Sequence, residues 1–300
     1  ITDDDYGSSK LGDGTINTFL ILSMDAFDSD YYTDLYVNLK STKDINCFSE
    51  EYEQIITDYK DRIEETTSLR ETQRLQEEKD KAYKEINDSQ KELDEIAASA
   101  KKLYRETDYI ICASHPTYGI FELGCWMCGF DDFMIKMALE PEFVTRFFEI
   151  IFNYQKVVSE MYYSAVGDYI HYTSSGDDFA TQSSTFISNG RFNEMIKPYF
   201  KERIALTKKL TKAKFLHHSC GSVFPLIPDL IDAGVEILNP IQPTNASMSP
   251  ANLKQSYGRQ IVFHGGLDTQ DLLPHGNQAS IEQGVKAMLD DIYVDGGYIF

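Results

Sequence analysis

The sequence predicts an α/β protein, a parallel (β/α)8 TIM-type barrel that is incomplete at one or both ends and carries a long helical insertion. From residue 106 to residue 300, short apolar segments typical of buried strands alternate with longer segments of helical pattern. Glycine and titratable residues follow those apolar segments, as they do at the strand ends of barrel enzymes. An open dinucleotide-binding sheet is the competing fold, but no G-x-G-x-x-G follows a predicted strand.

The first 105 residues differ in texture from the rest of the chain. Residues 1–47 are polar and irregular, with one clear strand signal at Thr18–Leu22. Residues 48–105 contain no Gly or Pro and are dominated by Glu, Lys, Gln and Arg, which favour helix. We therefore expect one long helix, or a helical hairpin bent near Thr66–Ser68.

The helical insertion has an apolar stripe that permits two interpretations. Its members, spaced by three and four residues, are Ala82, Ile86, Leu93, Ile96, Ala100 and Leu103. A coiled-coil arm would use this stripe to form a homodimer. A solvated insertion would pack the stripe on its own barrel, and the short, interrupted pattern favours this second interpretation.

The barrel elements are predicted in order from their patterns. The strands are Tyr109–Ser114, Asp168–Ser174, Ala213–His218, Ile237–Ile241, Ile261–His264 and Tyr298–Phe300. The helices are a segment through Met137, Pro141–Val166, Asn189–Leu210, Val223–Ala233, Pro250–Tyr257 and Ile281–Ile292. Pro141 suits the first turn of a helix, where its missing N–H costs nothing.

Composition excludes several classes of partner. The net charge of −20, from 48 acidic and 28 basic residues, repels nucleic acid and anionic membranes. No apolar run approaches the roughly 20 residues of a membrane helix, and the N-terminus lacks the pattern of a secretory signal. It also lacks an initiator Met, as in a fragment or a processed chain. The five cysteines form no regular framework, so we expect a reducing cytoplasm.

Candidate chemistry lies directly after the predicted strands. His218 and Cys220 are two residues apart, and in an extended strand end such residues point the same way and can converge on one Zn²⁺. A buried Cys beside a His bonded to a backbone carbonyl fits the same spacing. Cys125 and Cys128 form a C-x-x-C, which we expect to pack in the core beside Trp126 and Phe130.

Three acidic residues also follow strands. Asp177 and Asp178 are adjacent, so their side chains diverge; one suits a general acid, a general base or a partner of a ligand imidazole, and the other a cap. Asp268, after two glycines, suits the pocket or a helix cap equally well.

Longer runs resemble the uroporphyrinogen decarboxylase superfamily. They are GDDFATQSSTFIS, then HSCGSVFPLIPDLIDAGVEILNPIQ, IVFHGGLDTQDLLPHG and DGGYIF, in order between about Tyr104 and Phe300. One branch of that superfamily contains cofactor-free decarboxylases with an arginine-rich motif, which this sequence lacks. The other contains zinc methyltransferases with H-x-C and a later ligand. His218-Ser219-Cys220 is similar to that branch.

This resemblance implies a zinc-dependent methyltransferase that moves a methyl group between a small methylated substrate, or a thiol, and the methylcobamide of a corrinoid protein. Its metal ligands would be His218 and Cys220, with a third beyond Phe300. The expected catalytic residues are Asp177, Asp178 and Asp268, and the expected substrate contacts are His115, Gln182, His217 and Gln242. The alternative is a cofactor-free decarboxylase.

Overall fold

A computed structural model describes Thr57 and residues 69–300 of the chain. They fall into two compact units: residues 69–108 with 160–166, and residues 109–159 with 167–300. The strand expected at Thr18–Leu22 and the bend expected near Thr66–Ser68 lie outside the described residues. The division into 1–47, 48–105 and 106–300 therefore stays a prediction.

Helix α1, Leu69–Glu106, is one continuous helix of 38 residues. Its solvent-exposed surface carries side-chain pairs one turn apart, such as Gln90 with Asp94 at 3.0 Å and Lys91 with Glu95 at 3.8 Å. Pairs at this spacing stabilise a helix by roughly 0.2–0.5 kcal/mol each. Residues 69–106 of the predicted insertion thus form a single helix, and the choice between one longer helix and a hairpin bent near Thr66–Ser68 stays a prediction.

Six parallel strands form one sheet in the order β1 to β6. They are β1 Cys112–Ser114, β2 Tyr172–Gly176, β3 Lys214–His218, β4 Ile237–Ile241, β5 Val262–Gly265 and β6 Tyr298–Ile299. Each strand pairs with the next one along the chain, and helices connect them, as in a β/α barrel. The sheet of the described residues is not closed. This confirms the predicted parallel α/β fold of an incomplete barrel.

The other helices lie between the strands along the chain. They are α2 Ile120–Cys128, α3 Phe130–Leu139, α4 Pro141–Val166, α5 Lys197–Leu210, α6 Ile227–Ala233, α7 Pro250–Tyr257, α8 Leu272–His275 and α9 Gln278–Ile292. A helical turn, Asn189–Arg191, and a π-helical segment, Phe192–Ile196, precede α5. Helix α9 begins before the predicted Ile281 because Asn277 and Ser280 form a capping box.

None of the described helices has the length and apolar content needed to cross a membrane.

Two sequence predictions were wrong in detail. Only Cys112–Ser114 of the predicted buried strand at 109–114 pairs in the sheet, and Tyr109 and Ile110 are 73% and 71% exposed. Their apolar character matched a strand pattern, but β1 has only β2 as a partner among the described strands. In the C-x-x-C segment Cys125 is buried, whereas Trp126 and Phe130 are 55% and 44% exposed rather than in the core.

Strand register divides β2 and β3 between two faces of the sheet. Ser175 pairs with His217 and Gly176 with His218, so each pair shares one face. The face carrying His217 is covered by α5, because the His217 and Phe200 rings are 4.8 Å apart; we call it the helix face. The face carrying His218 is called the inner face.

Candidate active site

Three potential metal ligands meet at the ends of β2 and β3. A nitrogen of His218, the sulfur of Cys220 and a carboxylate oxygen of Asp178 all lie within 4.8 Å of one another. The Sγ atom of Cys220 is 3.5 Å from Nε2 of His218. All three residues are half-buried. The predicted pair of His218 and Cys220 therefore has Asp178 beside it, an acidic residue to which the sequence assigned no single role.

The loops after the two strands hold this cluster together. The backbone N–H of Asp177 donates to the carbonyl of His218 at 3.1 Å, which extends the strand ladder by one step. The N–H of Cys220 then donates to Oδ1 of Asp178 at 2.7 Å. Gly221 allows the loop after β3 to pass close to the loop after β2. Its φ is +89°, and a Cβ there would lie 2.5 Å from the carbonyl oxygens of Ala180 and Thr181.

The cluster fits Zn²⁺. Zinc binds sulfur at about 2.3 Å and imidazole nitrogen at about 2.0–2.1 Å, so tetrahedral ligands of these types lie about 3.6 Å apart. The observed separation of 3.5 Å between Cys220 and His218 agrees with that geometry. Asp178 offers a carboxylate, a further ligand type that zinc accepts, so the described residues include a possible set of three ligands. The third ligand expected beyond Phe300 stays a prediction.

Glu122, on the first turn of α2, adds a second carboxylate. Burial and the neighbouring charge of Asp178 raise the pKa of Glu122 to about 7. Burial, Asp178 and Glu122 together raise the pKa of the Cys220 thiol to about 11. A bound cation would reverse both shifts, because it stabilises the ionised forms. The site is thus electrostatically suited to a cation.

Asp177 anchors the helix that carries Glu122. Its carboxylate, 1% exposed, accepts hydrogen bonds from the backbone N–H groups of Phe121 at 3.3 Å and Glu122 at 2.9 Å. Burial, followed by the charge of Glu122, raises the pKa of Asp177 well above its usual range. Gly119 is required beside it, since a Cβ there would lie 2.0 Å from Cγ of Asp177. Asp177 therefore positions α2 at the site.

A hydrogen-bond chain runs along the inner face from His218. Its Nδ1 lies 2.6 Å from Oδ1 of Asn239 on β4, and Nδ2 of Asn239 lies 2.5 Å from Nδ1 of His264 on β5. Sequence reasoning missed Asn239, His264 and Glu122. Two signals were available: an amide within the apolar strand ILNPI, and the single charge of helix α2.

Two of the predicted substrate contacts lie on the helix face. His217 is fully buried, with its ring 5.4 Å from that of Phe179. His115 is 4% exposed and lies within hydrogen-bond distance of Thr117 and Arg203. The structure does not bring either ring to the inner face, because alternate residues of a strand point to opposite sides.

The remaining predicted residues lie in loops. Oε1 of Gln242 accepts from the N–H of Gly221 at 3.0 Å, next to the cluster. Gln182 is exposed, and its carbonyl accepts from the N–H of Ala246 at 3.3 Å. Asp268 accepts backbone hydrogen bonds from Gln270 at 2.8 Å and from two further residues at the start of α8, and these bonds lower its pKa. Asp268 thus stabilises the turn that leads into α8, whose N-cap residue is Asp271.

Comparison with known proteins agrees with this fold. The family model for uroporphyrinogen decarboxylase (URO-D) matches residues 61–300. A methyltransferase from Methanosarcina mazei has a similar structure, with a TM-score of 0.51 and 19% sequence identity. The alignment covers 67% of this chain and 56% of that methyltransferase, so the chain spans little more than half of its length. At this identity the likeness shows the fold. No curated protein matches the chain.

Proposed function

Since the chain belongs to the uroporphyrinogen decarboxylase family, we propose that it is a zinc-dependent methyltransferase. It transfers a methyl group between a small methylated substrate, or a thiol, and a corrinoid protein that carries methylcobamide. One observation carries the proposal: Asp178, His218 and Cys220 converge at strand ends with spacing that suits zinc. Strand ends are where barrel enzymes place their chemistry.

The residues of the cluster have separate roles. Nε2 of His218, Sγ of Cys220 and a carboxylate oxygen of Asp178 would hold the ion, and the fourth tetrahedral position would accept the substrate. When bound, Zn²⁺ supplies a Lewis acid that polarises the heteroatom carrying the methyl group or stabilises a substrate thiolate. Asn239 orients the His218 ring through the bond to Nδ1.

Glu122 is the proposed general acid and base. It lies beside Asp178, where burial favours its protonated form and the charge of a bound cation would favour its ionised form, so its carboxyl group can give or take a proton. The proton would pass between its carboxylate and the heteroatom that gains or loses the methyl group. Asp177 and Asp268 are less suited to this task, because their carboxylates accept backbone N–H groups.

The partner and the compartment belong to the same proposal. The corrinoid protein rests on the resemblance of the H-x-C motif to the methyltransferase branch. A net charge of −20 disfavours nucleic acid as a partner. The four cysteines of the described residues are free, which suits a reducing cytoplasm.

The alternative, a cofactor-free decarboxylase, is less consistent with the electrostatics of the site. A porphyrinogen substrate carries several carboxylates, which Glu122 and Asp178 would repel. The guanidinium of Arg203 does not offset them at the inner face, since it donates to Ser175 on the helix face. Release of carbon dioxide from uroporphyrinogen by the metal-free chain would favour this alternative.

Zinc content and methyl transfer test the proposal. We expect the zinc-loaded chain to bind about one Zn²⁺ per molecule by elemental analysis, and to catalyse loss of the methylcobalamin absorption spectrum with a thiol acceptor. Cys220→Ala should lose both properties, whereas Cys128→Ala, from the other cysteine motif, should keep both. Full zinc occupancy in Cys220→Ala would show the ligand assignment to be wrong.

A further inference from the structure

The inner face carries two histidines on either side of one amide. His218 and Asn239 are register partners on β3 and β4, and His264 is the penultimate residue of β5, with its ring on the same face. Asn239 reaches both rings, with Oδ1 at 2.6 Å from Nδ1 of His218 and Nδ2 at 2.5 Å from Nδ1 of His264. All three side chains are half-buried, so competition from water is reduced.

An asparagine amide has two chemically different ends. Its oxygen only accepts hydrogen bonds, and its nitrogen only donates them. Oδ1 of Asn239 therefore requires a proton on Nδ1 of His218, and Nδ2 requires a lone pair on Nδ1 of His264. A neutral imidazole has one N–H, so the state of Nδ1 also determines whether Nε2 carries a proton or a lone pair. His218 has a lone pair on Nε2, and His264 has a proton on Nε2.

This arrangement matters because Nε2 of His218 faces Sγ of Cys220 at 3.5 Å. With the lone pair there, His218 can bind a metal without first losing or moving a proton. A reversed amide would place the proton of His218 on Nε2, directed at the position of the ion. Metal binding would then require that proton to move, at a cost in affinity.

We propose that Asn239 is a positioning residue that imposes opposite tautomers on His218 and His264. It thereby keeps Nε2 of His218 free as a ligand and presents Nε2–H of His264 as a hydrogen-bond donor on the inner face. The tautomers do not depend on the proposed methyltransferase activity. The link to metal affinity rests on the proposed zinc site alone.

Nitrogen NMR of the metal-free chain tests the tautomers directly. In protein labelled with ¹⁵N at its six histidines, two-bond ¹H–¹⁵N spectra distinguish an Nδ1–H ring from an Nε2–H ring. His218→Gln and His264→Gln assign the two signals. We expect Nδ1–H for His218 and Nε2–H for His264. The same tautomer in both rings, or the reverse assignment, overturns the proposal.

Asn239→Asp separates a tautomer effect from a packing effect. A carboxylate accepts at both oxygens, so His264 should change to the Nδ1–H form while His218 keeps its Nδ1–H form. Asn193→Asp makes the same chemical change at an exposed amide that donates to the carbonyl of Asn189, and should alter neither ring. If His264 remains Nε2–H in Asn239→Asp, Asn239 does not control it.

Zinc affinity, measured by competition with a chromophoric chelator, tests the consequence for the ligand. Asn239→Leu removes both hydrogen bonds and should weaken binding about 10–100-fold, the usual effect of losing an outer partner of a ligand histidine. Asn239→Asp still accepts from His218 and should restore the affinity. Equal affinities in wild type and Asn239→Leu would overturn the positioning role. Absence of zinc binding in the wild type would instead refute the proposed metal site and leave the NMR result standing.

Discussion

His217 and His218 are consecutive residues on β3, yet they lie in opposite environments. His217 is fully buried on the helix face, with its ring 5.4 Å from that of Phe179 and 4.8 Å from that of Phe200. His218 is half-buried on the inner face, bonded to Asn239 and adjacent to Cys220. Two identical side chains thus acquire a position in the packed interior and a position in the proposed metal site because a strand alternates its faces.

The helix face is polar, but its polar groups contact one another inside the fold. Arg203 is 3% exposed and donates to Ser175 at 2.5 Å and to the carbonyl of Thr117 at 2.9 Å. Burial, with the positive charge of Arg203 as the next cause, holds the pKa of His115 and His217 well below the usual range. Both rings are therefore neutral at physiological pH, which makes this face a structural layer.

Alanine at each histidine should give opposite losses. We expect His218→Ala to weaken zinc binding by more than about 100-fold, the upper effect of losing an outer partner, because it removes a ligand itself. His217→Ala should leave zinc binding unchanged and lower the free energy of unfolding by roughly 2–4 kcal/mol, as other large buried deletions do. Chelator competition and urea unfolding measure the two quantities. Loss of zinc in a folded His217→Ala would contradict the division between faces.

Acidification should destabilise the fold through the helix face. The pKa of both His115 and His217 is lowered by folding, so below about pH 6.5 the unfolded chain binds more protons than the folded one. The free energy of unfolding keeps its full contribution from these rings above pH 6.5. As the pH is lowered further, that contribution decreases by at most about 1.4 kcal/mol per pH unit for each ring.

Asp177 acts in the opposite direction. Its raised folded pKa means that its contribution is present below its ordinary value and is lost as pH rises through the folded value. Glu122, with its pKa raised to about 7, acts in the same direction as Asp177 within this range. Urea unfolding of the metal-free chain between pH 7 and pH 5.5 measures the sum of the four groups. A His217→Phe variant should lose less stability on acidification than the wild type, because one of the two opposing histidines is absent. Identical slopes would mean that His217 does not take up a proton on unfolding.

Gly119→Ala tests the junction between Asp177 and α2. The new Cβ would lie 2.0 Å from Cγ and 2.2 Å from Cβ of the buried Asp177, so either the helix or the strand end must shift. We expect a loss of about 1–3 kcal/mol in the free energy of unfolding. Gly190→Ala is a matched control, since its Cβ would meet nothing closer than 3.9 Å. Equal stability of both variants would mean that this contact is not tight.

His217→Phe should have the smallest effect on stability. Neither ring nitrogen of His217 meets hydrogen-bond geometry with a partner, although the backbone of Asp177 offsets a little of the burial cost of its charged form. Phenylalanine keeps a ring beside Phe179 and Phe200 and removes two buried polar atoms. We expect stability within about 1 kcal/mol of the wild type, or above it, because an apolar replacement removes the desolvation cost. A larger loss in thermal or urea unfolding would indicate a polar contact at this ring.

Local patterns in the sequence predicted most of the barrel elements. Strand Ile237–Ile241 and helix Pro250–Tyr257 have the predicted bounds, because an apolar run and an initial proline are signals within the segment itself. The pairing of His218 with Cys220 could be predicted for the same reason, because the two residues are two apart on one strand end. Local spacing could not reveal Glu122, which lies 56 residues before Asp178. Glu122 approaches Asp178 because Asp177 accepts hydrogen bonds from the first turn of α2.

The side of the sheet on which each strand residue lies was the second feature that the sequence could not predict. His217 was predicted to contact substrate as a residue at the end of a predicted strand, and its placement became clear only from the pairing of Ser175 with His217. The side chains of Asn239 and His264 likewise gain meaning from β4 and β5 lying next to β3. A single sequence shows which residues are polar, whereas the register shows which of them meet.

Gly221 gives the proposed metal site a signature that can be recognised in other sequences. Any side chain at this position would collide with the carbonyls of Ala180 and Thr181 and separate the two loops that bring Asp178 to Cys220. A homologue with H-x-C but a bulkier residue in the next position cannot keep these two loops in contact. Glycine directly after the H-x-C motif should therefore sort family members that share this three-ligand arrangement from those that bind their metal, if any, in another way.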